Sequence, residues 1–212
     1  MNAALHDIAI VLALAWAAGI NLYAAVFVFG LMGHFGYVDL PPGLAILADP
    51  RFIVASGAMF AIEFFADKVP GVDSLWDAIH TFVRIPAGAV LAAGAASDLG
   101  PAIQILAALT GGTLAAGSHF TKAGSRALIN TSPEPFSNWA ASLGEDALVV
   151  TGLWAAVAHP VAFLVGLVLF VALAVWLLPR LWKGIRRLFS TIRRWIGTGE
   201  EDDSLTRPPA RG

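Results

Sequence analysis

Long apolar runs separated by short polar breaks dominate the chain. A helix that spans a bilayer needs about 20 mostly apolar residues, and six segments fit that length. The first is IAIVLALAWAAGINLYAAVFVFGLMG, 8–33. It is too long for the apolar core of a signal peptide and lacks the positive region before it, so it reads as a membrane anchor. A loop with Pro41, Pro42 and Gly43 follows, which cannot continue a helix. The second segment is 51–67. The third starts at Asp73, a good N-cap, and runs to about 97; its Pro86 predicts a kink or a break. The fourth is 101–124, the fifth 137–158 and the sixth 161–178.

This pattern predicts an all-α polytopic membrane helix bundle of about six transmembrane spans over 1–180. An amphipathic basic helix lying on the membrane surface is predicted over 181–196, and a disordered tail over 197–212. The third and fourth spans are rich in Gly and Ala, among them Gly88, Gly94, Gly111, Gly112 and Gly117. Small residues let helices approach closely in lipid, which points to these two spans as the centre of the bundle.

Two Pro-containing polar hairpins interrupt the apolar pattern. One is ADKVPGVDSLWDAIHTFVR, the other HFTKAGSRALINTSPEPFSNW. Each passes from an apolar helix to a Lys (Lys68, Lys122), then a turn, then a Trp (Trp76, Trp139) opening the next helix. The units 51–97 and 101–158 read either as an internal repeat or as two independent hairpins.

The polar positions in these hairpins share helix faces. Glu63 and Asp67 are four apart. Asp73, Asp77, His80 and Arg84 fall at i, i+4, i+7 and i+11, one continuous stripe, with Leu75, Ile79, Phe82 and Val83 on the opposite face. His119, Lys122 and Arg126 form a second stripe. Glu134 and Asn138 follow in the second hairpin, then Glu145 and Asp146 in the fifth span. Asn21 and Tyr23 add polar positions in the middle of the first span.

Composition agrees with a membrane protein: 58% of residues are hydrophobic and 13% charged, with a mean hydropathy of +0.73. Soluble domains carry about 25% charged residues. With no cysteine, disulfides, thiolate metal sites and Cys nucleophiles are excluded. The net charge of −2 hides an asymmetry. Arg180, Lys183, Arg186, Arg187, Arg193 and Arg194 cluster near the end, and only Arg51, Lys68, Arg84, Lys122 and Arg126 precede them. Basic residues flank spans on the cytoplasmic side. That predicts the bacterial inner membrane with a cytoplasmic C-terminus and, counting back six spans, a cytoplasmic N-terminus. Anionic lipid head groups are the expected partners of the basic helix. Nothing points to nucleic acid, and a chain this small can pair with itself as a homo-oligomer.

A charge at bilayer depth costs about 2.5 to 3.5 kcal/mol even on the mildest scale. The polar stripes therefore pair as ion bridges between the hairpins or line a path for a solute, proton or ion. The candidate site is Glu63, Asp67, Lys68, Asp73, Asp77, His80, Arg84, His119, Lys122, Arg126, Glu134, Asn138, Glu145 and Asp146. Asp73, Asp77 and His80 are candidate ligands for a divalent cation, the one cofactor the residue types suggest. No nucleophile elbow, P-loop or dinucleotide fingerprint is present, so an enzyme ranks behind a transporter and a lipid-phosphate-binding or scaffold protein.

Three stretches, GINLYAAV, ADKVPGVDSLWDAIHTFVRIPAGA and KAGSRALINTSPEPFSNW with GEDALV beyond, resemble a family of small bacterial membrane proteins known as domain of unknown function 4126. The resemblance implies a multi-pass membrane fold and brings no activity with it.

Overall fold

The computed structural model describes residues 3–69, 71–131 and 136–205. They form six α-helices, α1 (Ala3–His34), α2 (Pro50–Ala66), α3 (Val72–Ala95), α4 (Pro101–Ile129), α5 (Phe136–Ala158) and α6 (Pro160–Leu205), with short 3-10 helices at Pro42–Ala48 and Ser97–Leu99. The chain is an all-helical membrane bundle. Large apolar side chains face outward on every outer helix, among them Phe65, Phe82, Val90, Leu109, Trp154, Val168 and Trp176. By length and composition α1, α3, α5 and α6 each suffice to cross a membrane, and Pro42–Ala48 joined to α2 makes a fifth, bent by 71°.

Length misleads for α1. Its residue Asn21 has a non-helical backbone (φ −146°, ψ 97°). Before the break, Ile10 lies near Val157, Trp16 against Gly152, and Asn21 on Asp146, so the first half runs inward, antiparallel to α5. After it, Tyr23 meets His80, Phe27 meets Gly57 and Gly30 meets Leu47 and Ile53, so the second half runs back out along α2. His6, Asp7 and Ile10 share one cavity wall with Tyr37, Val38 and Asp39. A straight helix would set Ile10 and His34 about 36 Å apart, and the four residues from His34 to Val38 span at most about 14 Å. The expected first span is therefore a re-entrant helical hairpin with both ends on one side and its tip inside the bundle.

This corrects two expectations. With α1 folded back, its start near Ile10 and the Leu181 stretch of α6 lie at opposite ends of the bundle, where an even count of six spans would put them at one end. The centre is α1, not α3 and α4: Ala9, Ala13, Leu14, Ala17, Ala18, Ala24 and Ala25 are fully buried. The close α3–α4 packing does form around it. A Cβ on Gly88 would stand 2.4 Å from the Ala115 Cβ, and one on Gly111 would stand 2.4 Å from the Ala92 Cβ. Gly19 is needed where α1 meets α4, because a Cβ there would lie 2.3 Å from the Ala115 carbonyl oxygen.

Other boundaries also shift. Pro86 sits inside an unbroken α3, and Pro179 inside α6. Gly71 with φ +87° precedes α3, and Asp73 is the helix's second residue rather than its cap. The basic segment 181–196 is not separate but continues α6, since Pro179 removes one hydrogen bond without ending the helix. The expected tail begins within that helix, which runs to Leu205; 206–212 lie outside the described residues.

The α2–α3 and α4–α5 turns lie at one end of the bundle, since Trp139 Nε1 donates to the Lys68 carbonyl at 3.0 Å and Asn130 to Asp73 at 2.8 Å. Leu181 packs on Gly124 and Gly184 beside Leu128, which brings the first basic residues of α6 to this same turn end.

Candidate functional site

Each helix of the two hairpins changes character along its buried face. On α3 the buried positions are Asp73, Asp77, His80 and Arg84, then Gly88, Leu91, Ala92 and Ala95. On α5 they are Asn138, Ser142 and Asp146, then Val149, Leu153 and Ala156. On α4 the order reverses, from Ala107, Gly111 and Ala115 to Ser118, His119, Lys122 and Arg126. The polar halves meet at the turn end. From Asp73 to Arg84 the stripe advances about 16 Å along the axis, roughly half the hydrocarbon thickness of a bilayer.

Arg84 is fully buried. One amino group bonds Glu63, the other Asp77 Oδ1 at 2.8 Å. Lys122 Nζ donates to Asp67 Oδ2 at 2.7 Å and stands 3.5 Å from Glu145, 3.7 Å from Glu63 and 3.8 Å from Asp77. Its ammonium thus sits among four carboxylates. The Arg126 fork takes Glu145 at 3.0 and 2.7 Å, and its other amino group bonds the Asp67 and Asn138 carbonyls and the Asn138 side chain. Asp73 accepts from Asn130, from the Gly71 amide at 2.9 Å and from the Ser74 amide at 2.6 Å.

Two buried histidines border the ion pairs. His80 Nδ1 donates to the Trp76 carbonyl at 2.8 Å, and its Nε2 shares a hydrogen bond with the Tyr23 hydroxyl at 3.2 Å. The Thr81 hydroxyl donates to the Asp77 carbonyl, so His119 Nε2 donates to Thr81 Oγ1 at 2.7 Å. His119 Nδ1 is then free to face an Arg84 amino group.

Thirteen of the fourteen expected site residues are described. Twelve of them build this core, with Asp146 at its edge on Asn21. Lys68 does not join the ion pairs. Its ammonium bonds the Phe64 carbonyl at 3.0 Å and lies over the Phe64 ring. Burial pushes it below the usual lysine range, opposed by Asp146 and Asp67. Lys68 and Lys122 are therefore not equivalent in environment. Glu134 lies outside the described residues. The three metal candidates do not converge: Asp73 is held by Asn130, Asp77 by Arg84, and His80 is stacked on Trp76 at 4.2 Å. Among the described residues no three Asp, Glu or His side chains gather as a ligand set.

Sequence reasoning missed Thr81 and Ser142. Ser142 was within reach of the test that found the α3 stripe, since Asn138, Ser142 and Asp146 are spaced by four. Four surface grooves are apolar, a fifth is lined by His6, Asp7 and Asp39, and none of the five is lined by the ionic residues. Six carboxylates, Glu63, Asp67, Asp73, Asp77, Glu145 and Asp146, thus face three buried cations, Arg84, Lys122 and Arg126. Glu63 Oε2, Asp67 Oδ1, Asp77 Oδ2 and Asp146 Oδ2 have no hydrogen-bond partner.

No curated protein and no solved structure matches the chain significantly. The family described as Domain of unknown function (DUF4126) matches residues 8–180, from α1 through the membrane part of α6. The chain belongs to that family.

Proposed function

We propose that this protein is a small transporter or channel-like protein, and that its ionic core is the occluded site of a small solute or ion. The observation that carries this reading is the charge imbalance: five buried carboxylates against three buried cations, with four carboxylate oxygens unpartnered. At bilayer depth uncompensated acids are costly, and a protein that keeps them has a use for the positive charge they attract. The re-entrant tip adds support, because non-helical backbone at membrane depth recurs where transporters hold their cargo. The orientation in this proposal is a cytoplasmic C-terminus in the bacterial inner membrane, with the turn end and the basic part of α6 on that side, near anionic head groups.

The test is cation and proton flux in proteoliposomes, comparing the wild type with Lys122→Met. Flux that the substitution abolishes or changes in selectivity is the expected outcome. No flux of any small ion or solute in the wild type sinks the reading. The alternative is a lipid-phosphate-binding or scaffold protein. It is favoured by one observation: the ion pairs are buried and largely mutual, as staples between two hairpins would be.

A further inference from the structure

Asp146 differs from the other five acids of the ionic core. Each of those has an Arg or Lys nitrogen within 4.0 Å. Among the described residues Asp146 has none, although it is only 9% exposed. Its Oδ1 accepts from the neutral Asn21 Nδ2 at 2.9 Å, and its Oδ2 has no partner. One turn earlier on the same face, the Ser142 hydroxyl is fully buried and also unpartnered. Asp146 lies on the re-entrant tip of α1 through Asn21, and Ser142 shares its face of α5. There Asn21 Oδ1 takes the Ala24 amide at 2.9 Å, the group that would bond the Ile20 carbonyl in an unbroken helix. The charged groups that bear on Asp146 are Lys122 from α4, and Asp67 and Lys68 from the end of α2. The Lys68 ammonium is engaged with Phe64.

We propose that Asp146, with the Ser142 hydroxyl and the tip at Asn21, is the seat of one monovalent cation, a proton or an alkali ion. The inference rests on the transport reading and names the class of cargo. A single carboxylate without a fixed counter-ion balances one positive charge. The two groups left open, Asp146 Oδ2 and the Ser142 hydroxyl, are hard oxygens, which suit a proton or an alkali ion. Among the described residues no set of three acidic or histidine side chains gathers here to favour a divalent ion. A broken helix directs backbone dipoles at an ion, as discontinuous transporter helices do.

The test uses the purified full chain as wild type, Asp146→Asn, Ser142→Ala and Asn21→Ala. Unfolding temperature is measured in sodium, potassium or lithium chloride against choline chloride, and the infrared band of protonated carboxyls is recorded alongside. An alkali seat raises the unfolding temperature with one alkali ion. That response is lost in Asp146→Asn and weakened about tenfold in apparent affinity in Ser142→Ala, the size of one lost hydrogen-bond-strength contact. A proton seat gives no alkali response but a protonated-carboxyl band that Asp146→Asn removes. If wild type and Asp146→Asn respond alike to every cation and share the band, the proposal is overturned. Should Asp146→Asn fail to fold, Asn21→Ala decides: it leaves the acid and removes its partner, so an unchanged response and band overturn the proposal. Flux separates the two levels. Transport that persists in Asp146→Asn refutes this seat and leaves the transport reading, whereas Asp146-dependent binding without wild-type flux does the reverse.

Discussion

The two halves of α3 pack on the same neighbours by opposite means. Val72 to Arg84 presents Asp73, Asp77, His80 and Arg84 to the interior; Gly88 to Ala95 presents glycine, alanine and leucine. In the second half association comes from backbone proximity, with Gly88 and Gly111 leaving no room for a side chain. In the first half it comes from charges that compensate one another, since Glu63, Asp77 and Arg84 are all buried and each needs the others. Two buried charges together are close to neutral for stability, but removing one partner leaves the other exposed to the full cost of desolvation. Space is therefore the vulnerability of one half and charge balance that of the other.

The largest effect should come from unbalancing the ionic half. Arg84→Leu strands Glu63 and Asp77 and should cost about 3–5 kcal/mol, read as loss of folded protein on size-exclusion chromatography in detergent. Adding Glu63→Gln and Asp77→Asn should recover much of it; no recovery would mean the ion pairs are not what holds this half. Crowding the small-residue half comes next. Gly88→Leu pushes a side chain into Ala115 and should cost about 1–3 kcal/mol, while Gly88→Leu combined with Ala115→Gly should be milder in thermal unfolding. In the ionic half, Asn130→Ala removes the side chain that bonds Asp73 and should cost about 1.5–3 kcal/mol; equal unfolding temperatures for variant and wild type would contradict that role. Trp139→Phe deletes the bond to the Lys68 carbonyl that ties the two turns together, worth about 0.5–1.5 kcal/mol. Phe82→Leu, 83% exposed on the outer face of α3, should change unfolding by less than about 0.5 kcal/mol. A large loss at Phe82 would mean that this face is covered by another chain.

Much of this was legible in the sequence. The α3 stripe and the Lys122–Arg126 spacing follow from helical periodicity, which places the charges on one face and the large apolar residues on the other. The pairing did not follow: spacing alone does not assign Arg84 to Glu63 and Asp77, because partner choice depends on how far the helices slide past each other. The fold-back of α1 was invisible for a different reason. Asn21 lies in an apolar run with no proline, and hydropathy counts residues without sensing direction. Pro86, the loudest signal of a break, sits in a continuous helix. Proline costs a helix one hydrogen bond, and packing of α3 on α1 and α4 outweighs that loss.

On the transport proposal the ionic core is a closed site, and its polar halves, which meet at the turn end, make that the end at which it would open. The natural chain has no cysteine, so Ser142→Cys gives a single reporter at a fully buried position beside Asp146. Its labelling by a membrane-impermeant thiol reagent, applied from each side of oriented vesicles with and without a cation gradient, tests the claim most directly. The account predicts protection at rest and labelling under a gradient only from the side that carries the turns and the basic part of α6. Protection from both sides under every gradient would contradict it and leave the core as a permanent staple.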